Sequence, residues 1–84
     1  MKVIKRGGRI VDYDRSKISL AIEKANKEVS RKEKATKEDI KFIMEYIEDL
    51  SKKRILVEDI QDIIEEKLME LGKYELAKKY IVYR

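Results

Sequence analysis

The sequence contains no cysteine, no histidine, no proline and no tryptophan. Without cysteine there is no disulfide and no thiolate zinc site, so no zinc ribbon is built from these 84 residues. Without histidine the commonest general base and the commonest metal ligand are both missing. Nucleophiles that need a histidine partner cannot be assembled. No apolar run approaches the roughly 18 residues that span a bilayer. The opening Met1-Lys2-Val3-Ile4-Lys5-Arg6-Gly7-Gly8 lacks the apolar stretch of a signal peptide. The expectation is a cytoplasmic protein with no membrane partner. Glycine is scarce, with three residues, and none falls in a Walker-type or dinucleotide-binding pattern.

Charge is what the chain has in quantity: 45% of its residues are charged and the net is +4. Residues 1–17 hold Lys2, Lys5, Arg6, Arg9, Arg15 and Lys17 against Asp12 and Asp14. Residues 18–84 hold fifteen of each sign, so the whole excess lies in the first seventeen positions. Cations clustered on one element suit an anionic partner; they also suit an ordinary solvated face. Eighty-four residues make one domain. A chain of this size buries only about 60–65% of its unfolded surface, which leaves a thin stability margin.

Residues 2–13 read as a β-hairpin, with Val3 and Ile4 before Gly7-Gly8 and Ile10, Val11 and Tyr13 after it. The glycine pair suits a two-residue type I′ turn. Asp14 is placed to cap a first helix over 15 to about 29, whose stripe is Ile18, Ala21, Ile22, Ala25 and Val29. Residues 30–34 read as a loop. Thr36 and Asp39 approximate a capping box at the start of a second helix. Its stripe is Ile40, Ile43, Ile47 and Leu50, and its end falls near Lys52-Lys53. Residues 54–57 are β-prone and can add a third strand. A third helix follows with Ile60, Ile63, Ile64, Leu68 and Leu71, closed by Gly72. A last helix from about Tyr74 buries Leu76, Ala77, Tyr80 and Ile81. The expected fold is α+β and mostly helical: a four-helix bundle capped by a small hairpin or three-stranded sheet.

Two features bear on chemistry. If Asp14 caps the first helix, Lys17 lies in its first turn, where free backbone N–H groups and a cation make an anion site. Val3 and Lys5 are two apart on a strand and share a face, so an apolar floor sits beside a cation. Nucleotide sites need that mixture. Read singly, Gly7-Gly8 is a plain turn and Lys17 a surface lysine. The pairs Glu58-Asp59 and Glu65-Glu66 read as a solvated helix face rather than catalytic carboxylates. A permanent metal is not expected; Mg²⁺ arriving with a triphosphate is, since it takes phosphate ligands readily.

The order of the pieces resembles a known family. The chain opens Val3-Ile4-Lys5-Arg6-Gly7-Gly8-Arg9 and continues Tyr13-Asp14-Arg15-Ser16-Lys17-Ile18. Val57-Glu58-Asp59-Ile60-Gln61-Asp62 follows, and the end is Gly72-Lys73-Tyr74-Glu75-Leu76-Ala77-Lys78-Lys79-Tyr80-Ile81-Val82-Tyr83-Arg84. This is similar to the ATP-cone domain over essentially the whole length. The resemblance implies ATP or dATP as an allosteric ligand bound beneath the sheet. It implies Val3 and Ile18 lining the pocket, and Lys5, Arg6 and Lys17 at the phosphates. Val57, Ile60 and Gln61 would lie near base and ribose. It implies no catalysis by this chain, and a ribonucleotide reductase catalytic domain or subunit as partner, with homo-oligomers a further expectation. The chain is either an excised domain or a free-standing cone. One departure is Gly7, where the family carries aspartate. Two other classes stay open at this stage: a small nucleic-acid-binding module using the basic hairpin, and an interaction domain without ligand.

Overall fold

The computed structural model describes residues 1–50 and 52–84. The chain forms β1 (Lys2–Ile4), β2 (Ile10–Asp12), α1 (Arg15–Asn26), a 3₁₀ turn (Arg31–Glu33), α2 (Lys37–Leu50), β3 (Arg54–Leu56), α3 (Val57–Glu70) and α4 (Tyr74–Tyr83). The sheet order is β2-β1-β3, with β1 antiparallel to β2 and parallel to β3. The β-prone segment at 54–56 is therefore a strand, and it puts β1 in the centre of the sheet. A two-stranded hairpin alone is marginal in water. Here the third strand and the packing of Val3 and Ile55, paired in register, turn one sheet face into the core.

The hairpin tip differs from a two-residue turn. The Lys5 N–H donates to the Arg9 carbonyl at 2.8 Å and the Gly8 N–H to the Lys5 carbonyl at 2.9 Å, leaving a three-residue loop, Arg6-Gly7-Gly8. Gly8 is left-handed, at φ +87°, and Gly7 is not. A type I′ turn needs two left-handed residues in sequence, whereas a three-residue loop needs one. A Cβ on Gly7 meets nothing within 4 Å. Gly7→Ala is thus expected to stabilise by about 0.4–1 kcal/mol through the unfolded chain. Gly8→Ala is expected to destabilise by about 1–2 kcal/mol, the cost of a left-handed alanine. Thermal melts of the two variants should move in opposite directions.

Each helix has an identifiable start or stop. Asp14 Oδ1 accepts from the Ser16 N–H at 3.0 Å. Thr36 and Asp39 cap one another: the Thr36 N–H donates to Asp39 Oδ2 at 2.9 Å and the Asp39 N–H to Thr36 Oγ1 at 3.0 Å. At the end of α3, the Lys73 N–H reaches the Leu68 carbonyl and the Gly72 N–H that of Met69, with Gly72 at φ +78°. That is a Schellman motif. α1 stops at Asn26 rather than near 29, because the Asn26 amide turns to the Ala35 backbone at 3.0 and 2.9 Å. α2 ends at Leu50; Lys52 and Lys53 follow it, and position 51 lies outside the described residues.

Ile22, Ile43, Ile47, Ile64, Leu68 and Leu76 are fully buried and join all four helices. Each contributes about 1.5–3 kcal/mol relative to exposure. Two stripe positions are not core: Leu50 is 59% exposed and Ile81 45%. Leu50 lies at the end of α2, and Tyr80, not Ile81, completes the Leu76–Ala77 face of α4. The segment 31–33 is a 3₁₀ turn that also caps α4, since Glu33 Oε1 accepts from the Glu75 N–H at 3.1 Å. Arg15 grips Glu48 with two bonds of 3.0 Å while the Tyr13 hydroxyl donates to the same carboxylate at 2.7 Å. Partial burial pulls the Glu48 carboxyl upward, but these donors outweigh it and its pKa lies below the ordinary glutamate value. The knot ties the entrance of α1 to α2.

Candidate nucleotide cleft

The concave feature of interest lies under the sheet, between β1 and helices α1, α3 and α4, with a volume of about 150 Å³. Its floor is apolar: Val3 from the central strand, Ile18 and Ala21 from α1, and Val57, Ile60 and Ile64 from α3. Val3, Ile18 and Ile60 are buried because they serve core and cleft at once. α1 contributes through its i, i+3 face and α3 through i, i+3, i+4 and i+7, so two amphipathic stripes meet beneath one strand.

Polar groups line the cleft as well. Lys5, just beyond β1, and Lys17, in the first turn of α1, both line the cleft. Neither forms an ion pair among the described residues. The capping bonds from Ser16, with Lys17 as a lesser influence, hold the Asp14 carboxyl below the ordinary aspartate range. That first turn is thus a charged junction of cap carboxylate, amides and lysine. The Gln61 amide oxygen accepts from Arg84 Nη1 at 3.0 Å and from Arg6 Nη2 at 3.3 Å. Gln61 therefore joins the hairpin tip to the end of α4.

Seven of the eight residues expected from the sequence, Val3, Lys5, Lys17, Ile18, Val57, Ile60 and Gln61, meet in this one cleft. Arg6 stands apart. It faces a neighbouring shallow recess and pairs with Glu58 at 3.4 Å, reaching the cleft residues through Gln61. The cleft is also lined by Tyr80 and Arg84, neither of which the sequence reading placed there, and Arg84 is paired with Glu65. Glu65 is not on a solvated face: its carboxylate lies 2.9 Å from Arg84 Nε with 21% of the side chain exposed. Burial first, and then the Glu65 charge, push the Tyr80 hydroxyl up to about 12. The spacing Gln61, Glu65 and Tyr80, Arg84, each i to i+4, was the available signal. It needed the knowledge that α3 and α4 are neighbours.

Among the described residues no group of three or more carboxylates could hold a metal ion. No helix among them is long and apolar enough to cross a membrane. The arrangement is an apolar slot lined also by the cations Lys5, Lys17 and Arg84.

The chain is 38% identical, over its full length, to a ribonucleoside-diphosphate reductase subunit alpha of Chlamydia muridarum, of which it covers 9%. It is 36% identical over its full length to the same-named subunit of Chlamydia trachomatis, again covering 9%. A vitamin B12-dependent ribonucleoside-diphosphate reductase of Thermoplasma acidophilum is 37% identical over 99% of this chain, which spans 11% of that protein. The chain thus corresponds to about a tenth of these relatives, a small part of each. The sequence profile of the ATP cone domain matches residues 1–84, end to end. This chain belongs to the ATP-cone family of regulatory nucleotide-binding domains.

Proposed function

We propose that the cleft under the sheet is the binding site for ATP or dATP, and that its occupancy regulates a ribonucleotide reductase to which the domain belongs or docks. The observation that carries this is the junction of an apolar slot with two lysines that form no ion pair among the described residues, one of them in the first turn of a helix. The slot, at about 150 Å³, is smaller than the roughly 300–1,000 Å³ of typical ligand pockets. It suits the base against Val3, Ile18 and Ile60, with ribose and phosphates extending to the open rim. Lys5 and Lys17 meet the phosphates there, and Mg²⁺ enters as the companion of the triphosphate. Arg6 contributes from the hairpin tip once released from Glu58. Gln61, which the two arginines already hold by its oxygen, is the candidate for reading the 2′-hydroxyl that separates ATP from dATP. For opposite outputs the two ligands must favour different states of the assembly, since equal affinities shift nothing. The working location is the cytoplasm, and homo-oligomers are among the states so controlled.

The nucleic-acid alternative is weaker on physical grounds. Lys2 is paired with Asp12 and Arg6 with Glu58, so the hairpin presents broken rather than continuous positive charge. Calorimetric titration of the chain with ATP, dATP and a short DNA duplex separates the readings. Saturable heat is expected with the nucleotides and none with the duplex. Binding to the duplex alone would overturn the proposal.

A further inference from the structure

We propose that Arg84 is a further phosphate-binding residue of the cleft, and that Glu65 is the positioning residue that holds its guanidinium in place. This rests on the nucleotide reading above. Gln61 and Glu65 are one turn apart on α3 and meet the same guanidinium: Nη1 donates to Gln61 Oε1 at 3.0 Å and Nε lies 2.9 Å from Glu65 Oε1. Both charged side chains are largely covered, at 27% and 21% exposure. A guanidinium carries five N–H donors in a rigid plane. Nη1 donates to Gln61 and Nε faces Glu65, while Nη2 donates no hydrogen bond among the described residues. Arg84 lines the same cleft as Lys5 and Lys17. An open edge of a planar cation in a cleft that two lysines also line suits the two-pronged recognition of a phosphate.

Glu65 explains why this edge is held ready. Its Oε1 is buried and makes no hydrogen bond among the described residues, so the Arg84 charge is its compensation. A covered carboxylate stripped of its cation is costly, and the guanidinium cannot swing away freely. Holding a binding group in its bound orientation lowers the ordering cost of association. Tyr80, four residues before Arg84 and buried, closes the wall behind the pair.

The test compares ATP with adenosine, which lacks phosphates, on the wild-type chain and three variants, by calorimetry for ATP and chemical-shift titration for adenosine. Arg84→Ala should weaken ATP by about 10- to 150-fold, the range for charge-assisted hydrogen bonds, and leave adenosine unchanged. Arg84→Lys should recover part of the loss, because the charge returns without the fork. Glu65→Gln should also weaken ATP with adenosine unchanged. That sign is diagnostic, since deleting a negative charge near a triphosphate would by itself tighten binding. Unchanged ATP affinity in Arg84→Ala, or equal losses for ATP and adenosine, would overturn the role of Arg84. Tighter ATP binding in Glu65→Gln would overturn the positioning role. A wild-type chain that binds neither ligand would refute the nucleotide reading itself.

Discussion

Alanine at Lys5 or at Lys17 is expected to weaken ATP binding by about 1.5–3 kcal/mol, roughly 10- to 150-fold, with no loss of fold stability. The two lysines approach the cleft from different elements, one from the strand end and one from the first turn of α1. Their charges are not neutralised by an ion pair among the described residues, so truncation orphans no protein carboxylate. Lys17 stands at the positive end of a helix dipole, where a cation is mildly unfavourable for the helix. Alanine there should leave the melting temperature unchanged or slightly raised while affinity falls. That combination, weaker ligand and intact fold, is the mark of a binding residue. Calorimetric titration beside thermal denaturation reads both quantities. If both variants bind ATP like the parent chain, the phosphates lie elsewhere and the site assignment fails.

Asn26→Ala is expected to destabilise the domain by about 2–4 kcal/mol, more than any surface change described above. The Asn26 amide both accepts from the Ala35 N–H at 2.9 Å and donates to the Ala35 carbonyl at 3.0 Å. It closes the ten-residue excursion between α1 and α2 by imitating a backbone partner. Ala35 is buried at 7% exposure, so water cannot readily replace the lost amide. Each orphaned backbone group costs about 1–3 kcal/mol. For a domain of this size 1 kcal/mol shifts the melting temperature by about 4–8 °C, so the transition should fall by about 8–30 °C. Asn26→Asp, which keeps an acceptor and loses the donor, should fall in between. Differential scanning calorimetry tests the series; an Asn26→Ala variant that melts with the parent would show that the excursion is held by packing instead.

Asn26 also marks the limit of reading the chain as a string. Its position at i+8 from Ile18 looks like an ordinary polar place on a helix, and nothing local identifies Ala35 as its partner. The same holds for Glu33, which caps α4 from 42 residues away, and for Glu48, which gathers Tyr13 and Arg15. By contrast, Asp14, the Thr36–Asp39 box and Gly72 act within a few residues of their own helix ends, and each was legible from sequence. The apolar side of the cleft was legible for a related reason. Val3, Ile18 and Ile60 belong to periodic stripes, and a stripe must be buried against something.

The amino-acid sequence by itself determined the four helices, the hairpin and the core-facing stripes, save that Leu50 and Ile81 stay exposed. Periodicity, capping and strand alternation act over a few residues and need no knowledge of the partner. Only the tertiary structure decided that β3 pairs parallel with β1 and makes Val3 central, and that Arg6 lies at the rim on Glu58. It alone turned Glu65 inward to Arg84. Such choices depend on which elements become neighbours, because a charge finds its partner across space, and helical spacing restricts the candidates without selecting one.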